Sequence, residues 1–246
     1  MERLQCVGDP SSLVLAWQAP DRVGDRFRWA VATLRKIDGD CSLTYLNDDG
    51  EFGDLNQGRP YAQLLDCGYR GYPGFSPKIG CHEVGVMAAL MRRLPPRSRP
   101  DFDAYLRHFG LETGLSISDF ALLGLTEAKL PNDGFSVVDT FDGYQPPLDL
   151  ITEVAGYRYY AANINAKIRL GAQVEIVAEP ENQYDRNAIQ FRIGGQKLGN
   201  VNRLQTKAYH QWIASHSLRA AVQRINGTAD KPKLYIFIRV REAKIS

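Results

Sequence analysis

The stretch EPENQYDRNAI, residues 179–189, places Tyr184 and Asp185 side by side among amide side chains. An exposed aromatic ring can stack on a flat ligand, and a carboxylate can accept a hydrogen bond from a hydroxyl group. Asn and Asp side chains also hydrogen-bond the nearby backbone, and Pro180 favours a corner. Two interpretations therefore stay open, a binding pocket and a structural turn, and we interpret Asn187 as a turn residue.

The charges of the chain are divided unevenly. Residues 1–150 contain 15 Lys and Arg against 21 Asp and Glu, whereas residues 151–246 contain 15 against 7. The division coincides with the Pro-containing stretch 141–150, which predicts an acidic domain at 1–140, a linker at 141–150 and a basic domain at 151–246. The basic excess favours a polyanionic partner for the second domain, with a merely solvated surface as the alternative.

Apolar periodicity predicts a β-rich fold for the basic domain. NAIQFRI, residues 187–193, alternates and leads through Gly194-Gly195 into QKLGNV, which indicates a hairpin. EVAGYRYYA is interpreted as the opening strand, with Tyr160 rather than Tyr159 facing the core. The final strand buries a row of alternating residues, which are Leu234, Ile236, Ile238 and Val240.

One amphipathic helix follows the hairpin. Asn202 is expected to cap it, and Leu204, Ala208 and Trp212 recur at helical spacing. About six strands with one or two short helices suit a small closed barrel rather than a doubly wound sheet. The fold class we expect is α+β, a small N-terminal α+β domain followed by this barrel.

Three motifs of the basic domain resemble the HIRAN domain. They are A-G-x-R-Y-Y at 155–160, E-P-x-N-x-Y-D-x-N-A-I at 179–189 and K-L-G-N-V at 197–201, and the resemblance covers residues 151–241. It implies an OB-like barrel that captures the 3′ end of single-stranded DNA. The residues that the resemblance places in the DNA-binding pocket are Arg158, Tyr159, Asn182, Tyr184 and Asp185, with Asn200 and Arg203 as looser matches.

The chemistry of these residue types suits a terminal nucleotide. Tyr184 or Tyr159 can stack on the base, which contributes about 1 to 3 kcal/mol per base. Arg158 can pair with a phosphate, and Asp185 can accept the proton of the 3′-hydroxyl. A strand that continued past the pocket would bring a phosphate against Asp185, so the carboxylate would select for strand ends.

The acidic domain is predicted to be α+β. RWAVATLRKIDGDCSLTYL indicates a β-hairpin, and HEVGVMAALMRRL, RPDFDAYLRHFG and SISDFALLGL indicate helices, the second ending at Gly110 and the third starting from serine caps. RPYAQLLDCGYRGYPGF is expected to be an ordered loop. The arrangement weakly resembles the N-terminal subdomain of HipA-type toxin kinases, and because no kinase lobe follows, the resemblance implies a recognition or regulatory part.

Two charged groups of the acidic domain have alternative interpretations. The arginines of RRLPPRSRP either extend a DNA track or cap a helix and pair with acidic neighbours; they are Arg92, Arg93, Arg97 and Arg99. The acidic residues near the hairpin are better suited to turns than to a metal site; they are Asp38, Asp40, Asp48, Asp49 and Glu51. We expect no metal, no cofactor and four reduced cysteines, since the cysteines are scattered without a C-x-x-C pair.

These observations predict a cytoplasmic, non-catalytic protein that binds 3′ ends of single-stranded DNA, with a protein partner for the acidic domain. No apolar run is long enough to span a membrane, and no membrane association is expected. Analogy with bacterial HIRAN proteins suggests phage defence or toxin–antitoxin-type regulation. The alternatives are an adaptor for a kinase or helicase with a vestigial DNA pocket, and a metal-dependent enzyme that processes DNA ends.

Overall fold

The computed structural model describes residues 2–24, 26–112, 114–166 and 168–243. Residues 1, 25, 113, 167 and 244–246 fall within the predicted domain ranges and lie outside the described residues. The chain forms two compact units. The N-terminal unit comprises Asp9–Tyr105 and Ser116–Thr140, and the C-terminal unit comprises Met1–Gly8, Leu106–Leu115 and Phe141–Ser246.

The N-terminal unit contains a five-stranded antiparallel sheet with the strand order β4-β3-β2-β1-β5. Its strands are β1 Ser12–Gln18, β2 Arg28–Ile37, β3 Asp40–Tyr45, β4 Cys81–His82 and β5 Phe135–Val138. The predicted hairpin corresponds to β2 and β3, with Gly39 at a φ of +73° in the turn. Strand β1, which lies between β2 and β5, was not predicted, because its apolar residues form a continuous run without alternation.

Five helices lie in or enter the N-terminal unit, namely α1 Gly50–Leu55, α2 Tyr61–Asp66, α3 Val86–Met91, α4 Phe102–His108 and α5 Asp119–Thr126. Gly110 follows α4 at a φ of +75°, and Ser118 accepts a hydrogen bond from the Ala121 N–H at the start of α5, as predicted. Helix α2 replaces part of the expected ordered loop. Helix α3 starts later than predicted, because Cys81–His82 pairs with β3 as a strand.

The C-terminal unit contains a six-stranded sheet with the order β6-β11-β10-β7-β8-β9. Its strands are β6 Leu148–Glu153, β7 Gln173–Ala178, β8 Ile189–Ile193, β9 Gln196–Asn200, β10 His216–Gly227 and β11 Pro232–Glu242, and its helices are α6 Tyr157–Tyr160 and α7 Thr206–Ser215. The hairpin between β8 and β9 turns at Gly194-Gly195, which have φ of +53° and +78°. Both residues take the positive φ that the sequence predicts for this turn.

The two edge strands of this sheet meet and close it into a barrel. Ala155, just after β6, donates its N–H to the carbonyl of Asn200 on β9 at 2.8 Å, and the Asn200 N–H donates back to the carbonyl of Ala155 at 2.9 Å. Closure removes the unpaired edges of the sheet. The predicted α+β class with a small C-terminal barrel is confirmed.

The barrel interior is filled by alternating strand residues and by one face of α7. The predicted row Leu234, Ile236, Ile238 and Val240 is fully buried. Leu204, Ala208 and Trp212 are also buried, as their helical spacing predicts. Burial of each large apolar side chain contributes about 1.5 to 3 kcal/mol.

The predicted opening strand differs from the structure. Strand β6 ends at Glu153, and Gly156, in the left-handed conformation with a φ of +75°, turns the chain into α6. Residues 157–160 are therefore helical, and the tyrosine buried in the core is Tyr157 rather than Tyr160. The strand pattern was misleading because a single left-handed glycine changed the direction of the chain.

The residues that form the C-terminal unit differ in two respects from the predicted domain ranges. Within residues 141–150, predicted as a linker, Phe141 belongs to the barrel core and β6 begins at Leu148. Residues 2–6 also belong to this unit, because the buried Asp149 carboxylate accepts hydrogen bonds from the N–H groups of Gln5 and Cys6.

Gly199 permits the close approach that closes the barrel. Its φ is +144°, and a Cβ there would lie 2.5 Å from the carbonyl oxygen of Ala155 and 2.7 Å from Val154 Cγ1. We expect Gly199→Ala to lower the free energy of unfolding by about 3 kcal/mol, measured by denaturant titration. The control is Gly171→Ala, where φ is +76° but no atom lies within 4 Å, so about 1 kcal/mol is expected. Equal losses would show that closure does not require glycine.

Candidate functional site

The loop between β7 and β8, residues 179–188, is organised by Asn182. Its Oδ1 accepts hydrogen bonds from the N–H groups of Tyr184 and Asp185, each at 3.0 Å. The Asp185 Oδ1 in turn accepts from the Asn187 N–H at 2.9 Å. Asn182 and Asp185 therefore form the turn that their residue types favour, and Asn187 belongs to that turn. This loop is called the β7–β8 loop below.

Glu179 connects the β7–β8 loop to strand β9. Its carboxylate accepts hydrogen bonds from Lys197 Nζ at 2.7 and 2.8 Å, from Asn200 Nδ2 at 3.1 Å and from Asn182 Nδ2 at 2.9 Å. Two of the residues predicted to bind DNA, Asn182 and Asn200, thus share one carboxylate. Sequence reasoning assigned no role to Glu179 or Lys197, although both lie inside the quoted motifs.

The environment of Glu179 favours its charged form. Burial alone would raise the pKa of this carboxyl group, but hydrogen bonds from Lys197, Asn182 and Asn200 and the charge of Lys197 outweigh burial and lower the pKa below its ordinary value. The pair with Lys197 is mostly shielded from solvent, with side-chain exposures of 19% for Lys197 and 23% for Glu179. The network is therefore a stable anchor for the loop at neutral pH.

Tyr184 projects from this anchored loop into solvent. Its side chain is 93% exposed, although its backbone N–H is fixed by Asn182. Residues 180–186 line a concavity of about 420 Å³ beside it. On the other side of the loop, the carbonyl of Asn187 lies 3.1 Å from Nε2 of His210 on α7, which the sequence did not suggest as part of the site. The ring is thus presented by a braced loop.

Arg158 and Tyr159 lie on α6. The guanidinium of Arg158 lies 4.7 Å from the centroid of the Tyr159 ring and donates a hydrogen bond to the Tyr159 hydroxyl at 2.6 Å. Tyr159 remains 61% exposed. The next residue, Tyr160, has Lys197 Nζ 5.3 Å from its ring centroid, so α6 borders the Glu179 network. Arg158 and the exposed ring of Tyr159, both from the motif A-G-x-R-Y-Y, thus lie together.

The looser matches have different positions. The Asn200 side chain donates to Glu179 and to the carbonyl of Ile189, so it supports the loop from within the barrel wall. Arg203 begins the short 3-10 helix Arg203–Gln205, where its carbonyl accepts a hydrogen bond from the Thr206 hydroxyl. The structure thus places Asn200 in the network and Arg203 in the segment leading to α7.

The other charged groups are engaged in structural contacts. Asp40 accepts hydrogen bonds from the N–H groups of Gly85 and Met87, and Asp49 caps α1. Three of the four arginines pair with acidic residues, as one of their two interpretations predicted, in the ion pairs Arg93–Asp133, Arg97–Asp119 and Arg99–Asp101, and Arg92 lies at the C-terminal cap of helix α3. Among the described residues, no group of three or more His, Cys, Asp or Glu side chains could hold a metal ion. The cysteines Cys6, Cys41, Cys67 and Cys81 are free thiols.

Comparison with known proteins supports the assignment of the C-terminal unit. Residues 148–242 match the family model of the HIRAN domain. Two solved structures are similar. The crystal structure of the HIRAN domain of human HLTF is 20% identical and covers 39% of this chain and 77% of that chain, with a TM-score of 0.32. A protein from Lactobacillus plantarum is 24% identical and covers 38% of this chain and 99% of that chain, with a TM-score of 0.28.

No curated protein matches the chain. The family match supports DNA binding by the C-terminal unit. The resemblance of residues 1–140 to HipA-type kinases gains no support from the comparisons and stays a prediction. None of the described helices is long and apolar enough to cross a membrane.

We expect Glu179→Gln to lower the free energy of unfolding at pH 7 by about 1 to 2 kcal/mol, since charge-assisted hydrogen bonds are lost. The lowered pKa of Glu179 means that its stabilisation is present above its unfolded-state pKa, near 4.5, and is lost as pH falls through the lower folded-state pKa. The difference between wild type and variant should therefore vanish with acidification. Denaturant titrations across this pH range measure it.

The control for this prediction is Glu181→Gln, two residues away on the exposed surface of the same loop. This substitution also removes one carboxylate charge, but it leaves the pair of Glu179 with Lys197 intact, so little change in stability is expected. A Glu179→Gln penalty that stays constant from pH 7 to pH 3 would contradict the role of the Glu179 charge.

Proposed function

We propose that the C-terminal unit binds single-stranded DNA by its 3′ end at the β7–β8 loop. The observation that carries the proposal is Tyr184, a residue that is 93% exposed on a loop braced by Glu179 and Asn182. Because the loop is already ordered, stacking of this ring on a base does not include the cost of ordering the loop. The HIRAN match over residues 148–242 supports the choice of DNA as the ligand.

The other site residues have distinct roles in this proposal. Arg158 pairs with a phosphate, and the neighbouring ring of Tyr159 offers a second stacking surface. Asp185 accepts the hydrogen bond of the 3′-hydroxyl. Its Oδ1 already accepts from the Asn187 N–H, but an ionised carboxylate has about four acceptor positions, so it can serve the turn and the ligand together.

The charge of Asp185 provides the selectivity for ends. A terminal phosphate or a continuing backbone would place negative charge against this carboxylate, whereas a free hydroxyl donates to it. The general attraction for DNA comes from the basic excess of residues 151–246, with 15 Lys and Arg against 7 Asp and Glu. Affinity and end selectivity thus have different physical sources.

The proposed role of the whole chain is recognition without catalysis. The N-terminal unit would supply a contact for a protein partner, and the analogy with bacterial HIRAN proteins extends the proposal to phage defence or toxin–antitoxin-type regulation. Incubating labelled strands with the protein and Mg²⁺ tests the absence of catalysis, because shortening of the strands would contradict it.

We expect Tyr184→Ala to weaken binding of a 5′-labelled single strand by about tenfold or more, because one stacked base contributes about 1 to 3 kcal/mol. Fluorescence anisotropy measures the change. Tyr184→Phe is the matched control, since it keeps the ring and should bind like the wild type. Both variants keep the backbone N–H that donates to Asn182. If Tyr184→Ala binds as tightly as wild type, stacking at this position is excluded and an adaptor role is favoured.

Asp185→Asn isolates the charge of the end-reading residue, because Asn retains an Oδ1 acceptor for the Asn187 N–H. We expect wild type to bind a strand with a 3′-hydroxyl at least about tenfold more tightly than the same strand with a 3′-phosphate or as a circle, a difference of about 1.4 kcal/mol. The variant should lose this preference while keeping affinity for the backbone. Equal wild-type affinities for all three forms would contradict end recognition.

A further inference from the structure

Arginines project in a row from the outer face of the barrel wall. In β11 the inward residues Ile238 and Val240 are buried, so the alternating residues Arg239 and Arg241 face outward. Strand register places Arg219 of β10 directly opposite Arg239. On the other side of β11, Asp149 of β6 lies opposite Arg239. These three arginines are called the outer arginine cluster below.

Nearby acidic groups offset two of the three positive charges of this cluster. Asp149 Oδ1 accepts from Arg239 Nε at 3.3 Å and from an Arg241 guanidinium nitrogen at 2.8 Å, so one negative charge is shared by two guanidinium groups. The exposed Glu2 carboxylate lies 3.7 Å from Arg239. Within the described part of the chain, no carboxylate pairs with the exposed Arg219. Three arginines against the two carboxylates of Asp149 and Glu2 leave one positive charge, located at Arg219.

The pairing of Arg219 with Arg239 costs stability on its own. Like charges directly opposite each other on antiparallel strands repel, and opposite-charge pairs at such positions stabilise. The Arg239 guanidinium lies over the Phe237 ring and pairs with Asp149 and Glu2. A phosphate bound at Arg219 would supply a counter-charge there, because phosphate oxygens accept forked hydrogen bonds from Arg. The arrangement is thus suited to an anion with several oxygens rather than to solvent alone.

The cluster lies at the same end of the barrel as the β7–β8 loop. Strand β10 runs antiparallel to both β7 and β11, so its beginning lies beside the ends of both. Arg219 is near the beginning of β10, Arg239 and Arg241 are near the end of β11, and the loop follows the end of β7. His210, which contacts the loop at Asn187, lies in α7, the helix that leads directly into β10. Two inter-strand spacings, about 10 Å, separate β7 from β11.

We propose that the outer arginine cluster binds the phosphodiester backbone of a single strand whose 3′ end occupies the β7–β8 loop. The inference rests on the proposed function and extends it from the terminal nucleotide to the nucleotides that precede it. The strand crosses the outer face of β10 towards β11, and its phosphates contact Arg219 and the exposed parts of Arg239 and Arg241. OB-type barrels engage roughly 4 to 16 nucleotides, more than an end pocket alone requires.

Arg219→Ala tests the cluster, because this side chain is exposed and has no carboxylate partner that its removal would leave unpaired. We expect binding of a strand of about 12 nucleotides to weaken about threefold to tenfold, and the slope of log affinity against log salt to become shallower by about 0.7. The affinity for a trinucleotide with a 3′-hydroxyl and the preference over 3′-phosphate should not change. Arg219→Lys should restore most of the affinity, and Arg219→Glu should weaken the longer strand further.

Arg169→Ala is the matched control, an exposed arginine that precedes β7 and therefore lies at the opposite end of the barrel. This substitution should change neither the affinity for the strand of about 12 nucleotides, nor the affinity for the trinucleotide, nor the salt slope. The melting temperature of Arg219→Ala should equal or exceed that of wild type, since a like-charge contact is removed. If Arg219→Ala and Arg169→Ala have the same effect on the longer strand, the cluster is not a backbone site.

The remaining outcomes separate this inference from the proposed function. If Tyr184→Ala loses affinity and Arg219→Ala has no effect, the backbone site at the cluster is overturned and end recognition stands. If Arg219→Ala changes the salt slope but wild type shows no preference for a 3′-hydroxyl, the cluster is a backbone site and end recognition is overturned. A wild type that binds no single strand overturns both. A competition with millimolar inorganic phosphate at matched ionic strength tests for a free-phosphate site. If phosphate displaces the longer strand from wild type but not from Arg219→Ala, the cluster is a free-phosphate site and the backbone assignment is overturned.

Discussion

The C-terminal unit depends on one pair of backbone hydrogen bonds, those between Ala155 and Asn200. They join the two edge strands of the sheet and bring the chain after β6 against β9, where Gly199 leaves room for the contact. With β9 fixed in this position, Lys197 and Asn200 face Glu179 at the start of the β7–β8 loop. The loop therefore takes its position from the closure of the barrel, and Tyr184 takes its position from the loop.

Much of the barrel was predictable because its local signals agree with its tertiary structure. The Gly194-Gly195 turn, the helical spacing of Leu204, Ala208 and Trp212 and the buried row of β11 all occur where the sequence indicated. Two elements were not. Gly156 redirects the chain into α6 through a left-handed conformation that no periodicity reveals, and β1 is buried along most of its length, so it lacks the alternation of a half-buried strand.

The site residues were predictable as types, but the contacts that organise them were not. A turn and a pocket were alternatives at the sequence level, whereas in the structure the hydrogen bonds that form the turn at Asn182 are those that leave Tyr184 exposed. Glu179 and Lys197 are 18 residues apart and meet only through the register of three strands. The opposition of Arg219 and Arg239 likewise follows from the pairing of β10 with β11, which an unaligned sequence does not specify.

The docking of residues 2–6 on Asp149 affects how this unit is assembled during synthesis. The carboxylate is almost completely buried, and one of its oxygens accepts from the backbone of Gln5 and Cys6, more than 140 positions earlier. Residues 2–6 are thus synthesised well before the strand on which they dock, and contacts between residues so distant in sequence slow folding. A fragment limited to residues 148–242 would contain the whole family match, but its Asp149 would lack two donors. The region that matches the HIRAN family is therefore shorter than the compact unit that contains it.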